Sequence, residues 1–142
     1  MDFFDGRYEY AMDDRGRIPV PPRFRDAFVK GAVINQGPDP CLRLFTSESF
    51  EQQAALHTRE PALDRDARLT RRGFFANSFR VELDKQGRIL VPAPLREYAG
   101  LEGNVIVSGS GEWLEIWQPE RFTAVMRQAD EHLQQAGQGP AS

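Results

Sequence analysis

Residues Met12–Arg25 read MDDRGRIPVPPRFR, and residues Leu83–Arg96 read LDKQGRILVPAPLR. The offset between these two stretches is 71 residues, and the same offset pairs Phe3-Phe4 with Phe74-Phe75. Unrelated segments of this length would share roughly one or two identities. The copies share nine within positions 3–25: Phe3, Phe4, Asp13, Gly16, Arg17, Ile18, Val20, Pro21 and Arg25. The chain is therefore an internal duplication.

Chain length limits how the two copies can fold. The chain has 142 residues, which suits one domain of ordinary size or two half-domains that share a core. A unit of about 70 residues buries so little apolar surface that it would be only marginally stable alone. We therefore expect the two copies to pack against each other.

Each copy shows the period-2 pattern of a strand with one buried face, followed by D-x-x-G-R. The patterned residues are Tyr8, Tyr10 and Met12 in the first copy and Phe79, Val81 and Leu83 in the second. We name residues 13–17 turn 1 and residues 84–88 turn 2. In each, the Asp side chain can accept hydrogen bonds from nearby main-chain amides and Gly tolerates a positive φ, which predicts a β-hairpin turn.

Strands and short helices are predicted to follow each turn. Arg17–Val20 and Arg88–Val91 read as strands that end at proline, which cannot donate to a ladder. Short helices follow, because Phe24 and Phe28, and likewise Leu95 and Ala99, are spaced at i, i+4, with Gly100 placed as a cap. Cys41–Thr46 and Trp113–Gln118 align as later strands, and each copy finishes in a helix that carries Phe50 or Phe122.

Two further helical segments carry distinct side chains. Pro61–Arg72 reads as an arginine-rich helical linker with Arg65, Arg68 and Arg72 on one face. Such a run fits a solvated or interface helix and also fits phosphate contacts. The last helix carries an apolar stripe that fits either the core or a subunit interface: Phe122, Val125, Met126, Ala129 and Leu133. The final residues, GQGPAS, read as a frayed tail.

The cysteine and histidine content limits the kinds of catalytic and metal site that the chain could form. The single cysteine, Cys41, excludes an intrachain disulfide and a cysteine-based zinc site. Its context predicts a small apolar strand residue, and the alternative is a reactive thiol. His57 and His132 lie far apart in polar contexts and read as ordinary surface residues. No catalytic pairing, phosphate loop or metal-ligand spacing is present, and no run approaches the roughly 20 apolar residues of a membrane span. We expect neither an enzyme nor a cofactor or metal.

Charge is distributed unevenly along the chain. The formal net charge is −3. Residues 59–96 nevertheless carry nine Lys and Arg against five Asp and Glu, whereas residues 97–142 carry two against seven. An acidic total can therefore conceal a basic face.

The turns bring two cations each to a predicted hairpin end: Arg15 and Arg17 in turn 1, Lys85 and Arg88 in turn 2. Two such turns related by a pseudo-two-fold axis suit phosphates, or a DNA major groove that admits a two-stranded ribbon. The alternative is that Asp13 pairs with Arg17, and Asp84 with Arg88, merely to pin each turn. One such motif is a weak signal, but two in register are stronger.

With its paired turns, the chain resembles the MraZ family of bacterial transcriptional regulators. The resemblance rests on GRYEYAMDDRGRIPVPPRFR, on RRGFFANSFRVELDKQGRILVPAPLREYAGL and on the 71-residue spacing between the turns. It implies an α+β, mainly β fold in which two tandem SpoVT-AbrB-like repeats form a pseudo-two-fold double-split β-barrel capped by helices. It also implies ring assembly and binding to short direct repeats in the promoter of the cell-division and cell-wall gene cluster.

The resemblance also assigns residues. Asp13, Arg17, Asp84 and Arg88 match the family motif position by position. The chain departs from that motif at Arg15, where lysine is usual, and at Gln86, where the lysine is shifted by one residue. Equal contributions from the two turns are therefore in doubt.

The expected organisation is repeat 1 over residues 3–50, a helical linker over 51–73, repeat 2 over 74–122, and a C-terminal helix and tail over 123–142. We expect a cytoplasmic, nucleoid-associated homo-oligomer that forms a ring and has no membrane partner. It is expected to bind double-stranded promoter DNA with short direct repeats and no small-molecule substrate. The expected sites are DNA-binding Arg15, Arg17, Lys85 and Arg88, turn-forming Asp13, Gly16, Asp84 and Gly87, and phosphate-contacting Arg65, Arg68 and Arg72. The alternatives are an AbrB-like antitoxin and a ring-forming scaffold that binds proteins.

Overall fold

The computed structural model describes residues 3–137, which form eight strands and five helices. In chain order they are β1 (Arg7–Ala11), β2 (Arg17–Pro19), a 3₁₀ helix (Pro22–Phe28), β3 (Ala32–Gln36), β4 (Leu42–Thr46), α1 (Ser47–Thr58), α2 (Arg65–Ala76), β5 (Ser78–Val81), β6 (Arg88–Leu90), α3 (Ala93–Ala99), β7 (Asn104–Gly109), β8 (Leu114–Trp117) and α4 (Pro119–Gly137). The mixed α+β class is confirmed. The expectation of a mainly β chain is not, because helices hold more of these residues than strands do. The predicted frayed tail lies almost wholly outside the described residues.

Eight antiparallel strands form two sheets. The larger has the order β1-β7-β8-β4-β3-β5, and the smaller is a two-stranded ribbon of β2 and β6. The order of the larger sheet is symmetric with respect to the two copies. The edge strands β1 and β5 are equivalent in the repeat, and so are the next strands inward, β7 and β3, and the central strands, β8 and β4. The ribbon likewise takes one strand from each copy.

Strand register confirms a pseudo-two-fold relation between the copies. At the centre of the larger sheet Arg43 lies opposite Glu115, and at the centre of the ribbon Ile18 lies opposite Ile89. The pseudo-two-fold axis that relates the two copies therefore passes through these two central pairs.

The predicted β-hairpins are wrong in their pairing. Both D-x-x-G-R turns form, and the main-chain N–H of Asp13 donates to the carbonyl of Arg17 at 3.0 Å. The strands that flank each turn, however, do not pair with each other: β1 pairs with β7 and β2 with β6. Each turn therefore connects two sheets, and both of its strands find partners in the opposite copy.

One hydrophobic cluster fills the space between the ribbon and the larger sheet. From the ribbon, Ile18 and Ile89 are at most 1% exposed. They pack in the same cluster as the inward residues of the sheet, which include Ile34, Leu42, Val105 and Leu114. Burial of this apolar surface is the main force that holds the ribbon on the sheet.

The other face of the larger sheet carries helices. At one site, Val33 and Phe45 of the first copy pack with Phe50 of α1 and with Phe74 of α2. At another, Ile106 and Trp117 of the second copy pack with Cys41 of the first copy and with Phe122 of α4. The predicted stripe of α4 thus begins in the core, although it ends at Leu133, which is 68% exposed.

The two aromatic pairs of the repeat adopt different structures. Phe4 lies in extended chain and bridges to Gly111, whereas Phe74 and Phe75 lie within α2. Helix formation at the second pair has a local cause, since Asp64 caps α2 by accepting from the N–H of Ala67 at 2.7 Å, ahead of a run of helix-forming residues. Identical dipeptides therefore need not share a conformation.

The predicted glycine cap of the helix before β7 is confirmed. Gly100 ends α3 with φ of 65°, which is the left-handed conformation that favours glycine at a helix end. Residues 110–113 connect β7 to β8 as an antiparallel hairpin. α2 continues to Ala76, beyond the expected end of the linker at residue 73.

A closed barrel is not confirmed. β1 and β5 are the edges of the larger sheet, and no strand ladder joins either edge to the ribbon within residues 3–137. Over the same residues, none of the helices combines the length and apolar character needed to span a membrane.

Candidate nucleic-acid interface

Asp13 organises turn 1 with both oxygens of its side chain. Its Oδ1 accepts from the main-chain N–H groups of Arg15 at 3.0 Å and Arg17 at 2.8 Å. Its Oδ2 accepts from Nε of Arg17 at 2.7 Å. The turn also requires a positive φ, which is 85° at Gly16. One aspartate therefore sets both the turn and the direction of the following arginine.

Turn 2 repeats this arrangement. Asp84 accepts at Oδ1 from the N–H groups of Gln86 and Arg88, both at 2.9 Å. Its Oδ2 accepts from Nε of Arg88 at 3.0 Å, and Gly87 has φ of 77°. The pinning role that the sequence left open is thus present in both turns.

These hydrogen bonds also hold the aspartates in their charged form. The main-chain N–H of Arg17 is the largest cause that lowers the pKa of Asp13 below its ordinary value, and the guanidinium of Arg17 adds to it. The N–H of Arg88 does the same for the pKa of Asp84. Both carboxylates therefore remain ionised at neutral pH.

The ribbon joins the two turns. The N–H of Val20 donates to the carbonyl of Gly87, and the N–H of Val91 donates to the carbonyl of Gly16, each at 2.9 Å. In addition, Nη1 of Arg88 lies 3.5 Å from Oδ2 of Asp13. The turns therefore form one unit with reciprocal bonds between the copies.

Two arginines outside the turns complete this unit. Arg25 donates from Nε to the carbonyl of Val20 at 2.9 Å, and Arg96 donates from Nη1 to the carbonyl of Val91 at 2.7 Å. A Cβ placed on Gly87 would overlap the guanidinium of Arg25, and one placed on Gly16 would overlap that of Arg96. Each arginine thus covers the turn glycine of the opposite copy.

The sequence carried a signal for these two residues. Arg25 and Arg96 are equivalent in the repeat and identical. Their position on the helices after the ribbon gave no reason to connect them with the turns, because the connection crosses between copies.

Exposure differs among the predicted DNA-binding residues. Arg15 and Lys85 are exposed, whereas the side chains of Arg17 and Arg88 are 29% and 27% exposed. Among residues 3–137, the hydrogen bonds of the Arg17 side chain involve Nε, which leaves its terminal nitrogens available to a ligand. With Arg25 and Arg96, the ribbon gathers six cations around Asp13, Asp14 and Asp84.

The structure does not bring the arginines of α2 to the ribbon. Arg65, Arg68 and Arg72 are exposed on α2, as predicted. α2 packs through Phe74 on the helical face of the larger sheet, opposite to the cluster that holds the ribbon. Its arginines therefore lie on another side of the molecule.

The cysteine and the two histidines lie in different environments, which range from buried to exposed. Cys41 is 1% exposed, and burial strongly raises the pKa of its thiol, which agrees with its interpretation as an apolar strand residue. His57 is not an ordinary surface residue. Its ring stacks on Phe74 with centroids 4.0 Å apart, and burial, more than the nearby Arg43 and Arg71, lowers its pKa. His132 is exposed.

Comparison with known proteins follows the duplication. Residues 3–73 and residues 74–138 each match the family described as "MraZ protein, putative antitoxin-like". The chain is 46% identical over 121 residues to the transcriptional regulator MraZ of Thermomicrobium roseum, which covers 85% of each chain. It is 39% identical over 127 residues to that of a Roseiflexus species, with 89% of each chain covered.

A further relative extends the match to nearly the whole chain. The transcriptional regulator MraZ of a Nocardioides species is 37% identical over 138 residues, which is 97% of this chain and 96% of the relative. With both halves matched and relatives of the same length, the chain belongs to the MraZ family, whose matched members are named transcriptional regulators.

Proposed function

We propose that this protein is a sequence-specific DNA-binding transcriptional regulator and that the ribbon with its two turns is the DNA-binding surface. The target is promoter DNA upstream of its own cell-division and cell-wall gene cluster. The observation that carries the proposal is the reciprocal joining of turns 1 and 2, which holds cations from both copies in one frame. Binding to DNA also implies a cytoplasmic, nucleoid-associated protein.

The chemistry of the turns supports this surface. Arg17 is held by Asp13 at Nε, so its terminal nitrogens can meet a phosphate or the O6 and N7 atoms of guanine. Arg88 is likewise held by Asp84 at Nε, and its Nη1 also lies 3.5 Å from Oδ2 of Asp13. A guanidinium that is already oriented loses less conformational entropy on binding. The aspartates thus both pin the turns and prepare the arginines.

The exposed cations have a different role. Among the described residues, the side chains of Arg15 and Lys85 are not bonded to the turn aspartates, and both are exposed in turns 1 and 2. They supply phosphate contacts, which position the protein on DNA without reading its sequence. Because the turns differ at Gln86, the two half-contacts are unequal.

We also propose that the two sheets are the parts of a double-split β-barrel and that the chain assembles into a ring on short direct repeats. The shared cluster between ribbon and sheet supports the first statement. For assembly, the support is the apolar surface left on the helices. Phe74 of α2 covers Phe50, with the two ring centroids 5.5 Å apart, whereas Val125, Met126 and Ala129 of α4 line an open groove.

Charge supports contact between such faces. α2 carries four arginines and one aspartate, and residues 97–142 carry an excess of acidic residues. The α2 arginines, including Arg65, Arg68 and Arg72, therefore suit a neighbouring subunit or a flanking phosphate better than the duplex held on the ribbon of the same chain. Several weak contacts along repeated sites would then add up through avidity.

Arg17→Ala tests the proposed surface. The variant should lose selective binding to a fluorescent duplex from upstream of its own gene, and it should keep the assembly state of the wild type. The measurement is fluorescence anisotropy across a salt titration, beside a scrambled duplex. For the wild type, logarithmic affinity should fall linearly with logarithmic salt, and the Arg17→Ala variant should show a slope reduced by about one.

Arg23→Ala is the matched control, because it removes the same charge from an exposed side chain whose ion pair, with Asp5 at 3.7 Å, is away from the turns. It should bind as the wild type does. Unchanged affinity and salt slope in Arg17→Ala would refute the proposed surface. Unselective binding by the wild type itself would favour the ring-forming protein scaffold. Binding of a toxin protein that changes the affinity of this chain for the promoter would favour the antitoxin.

A further inference from the structure

Arg25 and Arg96 lie outside the D-x-x-G-R motif, on the helices that follow the ribbon strands, yet their guanidinium groups lie against its glycines. Arg25 belongs to the first copy and covers Gly87 of the second, whereas Arg96 belongs to the second and covers Gly16 of the first. We propose that these arginines are positioning residues, each of which holds the DNA-contacting turn of the opposite copy. The proposal rests on the proposed function for its effect on DNA.

The hydrogen bonds define how each arginine acts. Nε of Arg25 donates to the carbonyl of Val20, and the N–H of the same Val20 donates to the carbonyl of Gly87. The guanidinium therefore braces the ribbon residue that binds turn 2 and lies against the turn itself. A cation placed over the turn glycine blocks other main-chain arrangements of that turn.

Arg96 repeats this arrangement in the other direction. Its Nη1 donates to the carbonyl of Val91 at 2.7 Å and reaches the carbonyl of Arg15 at 3.5 Å. The N–H of Val91 donates to the carbonyl of Gly16. Turn 1 is therefore held by the second copy at its glycine and at the residue that carries its exposed cation.

Because each arginine lies against the turn of the opposite copy, its effect on DNA binding should depend on that turn. If Arg25 acts through turn 2, its loss should weaken DNA binding by the same route as loss of Lys85 and Arg88. If it contacted DNA directly or merely stabilised the whole fold, its loss would add to changes in either turn. The coupling between variants therefore separates positioning from the other two roles.

The experiment is a set of double-mutant cycles with the same upstream duplex at low salt, where the remaining phosphate contacts keep the affinity of the turn variants measurable. Arg25→Ala should weaken binding by about tenfold in the wild-type background and again in Arg15→Ala/Arg17→Ala, but by less than about twofold in Lys85→Ala/Arg88→Ala. Arg96→Ala should show the mirror pattern. Equal effects in both turn backgrounds, or coupling to the turn of its own copy, would overturn the proposal. Arg23→Ala is again the control and should change nothing.

A readout without DNA distinguishes failure of this proposal from failure of the proposed function. In amide NMR spectra of the full chain, Arg25→Ala should shift the Gly87 resonance and leave Gly16 in place, and Arg96→Ala should do the reverse. If the turn variants bound DNA normally, the proposed surface would be wrong, and this cross pattern would still decide the positioning role. Shifts of equal size at both glycines would refute it.

Discussion

Asp13 combines three functions in one side chain, and Asp84 combines two of them. Each accepts two main-chain N–H groups, orients the arginine four residues later and, in the case of Asp13, also meets Arg88 of the other copy. Such hydrogen bonds to a carboxylate are stronger than those between neutral groups. The residue type in the motif is therefore explained by the charge of its side chain as much as by its shape.

Acid should weaken the turns. The pKa of Asp13 and of Asp84 is lowered in the folded chain, chiefly by the N–H groups of Arg17 and Arg88. Their stabilisation is therefore complete above the unfolded pKa of about 4 and is lost as pH falls through the lower folded pKa. We expect the urea midpoint of Asp13→Asn/Asp84→Asn to lie below that of the wild type at pH 7 and to fall less towards pH 3.

Asp26→Asn is the control for this comparison, since Asp26 is exposed and lies outside both turns. It should follow the wild-type profile. Parallel profiles for the wild type and the double turn variant would contradict the assigned role of the two aspartates.

At the scale of elements, the ribbon is a short structure that depends on its inner face. β2 and β6 pair over three residues each, which is too few for an isolated two-stranded sheet to persist in water. What holds the ribbon is burial, with Ile18 and Ile89 facing each other on the shared cluster. The surface proposed to bind DNA is therefore stabilised from beneath.

Ile89→Ala should accordingly destabilise the protein by about 2–5 kcal/mol, because it leaves a cavity at a side chain that is 0% exposed. Its neighbour Leu90 lies in the same strand and is 52% exposed. Leu90→Ala should cost about 0.5 kcal/mol or less, as most surface substitutions do. The measurement is equilibrium unfolding in urea, and similar losses for the two variants would contradict this account of the ribbon.

At the scale of the molecule, the copies are not adjacent units but exchange strands. β1 of the first copy completes the sheet beside β7, and β5 of the second beside β3. The ribbon takes one strand from each copy, and the core beneath it includes residues of both. Although β3 pairs with β4 and β7 with β8, neither half holds the partners that its first two strands require.

Separated halves test this exchange. Residues 1–73 and residues 74–142 should each be unfolded as monomers and should recover the native amide spectrum when mixed. A half that folds by itself must do so as a dimer, since it can exchange strands only with a second copy. Its unfolding midpoint would then rise with concentration. A folded, monomeric half, shown by sedimentation together with circular dichroism, would contradict the exchange.

The sequence by itself determined the duplication, the aspartate-organised turns, the period of Tyr8 and Tyr10 and the glycine end of α3, because these depend on interactions within a few residues or on identity between the copies. Only the tertiary structure decided which strands pair. Two similar copies offer each strand a partner in its own copy and an equivalent one in the other, and a local pattern cannot distinguish them. Burial of one shared core selects the exchanged pairing. The same selection brings Arg25 to Gly87, Arg96 to Gly16, and moves the arginines of α2 away from the ribbon.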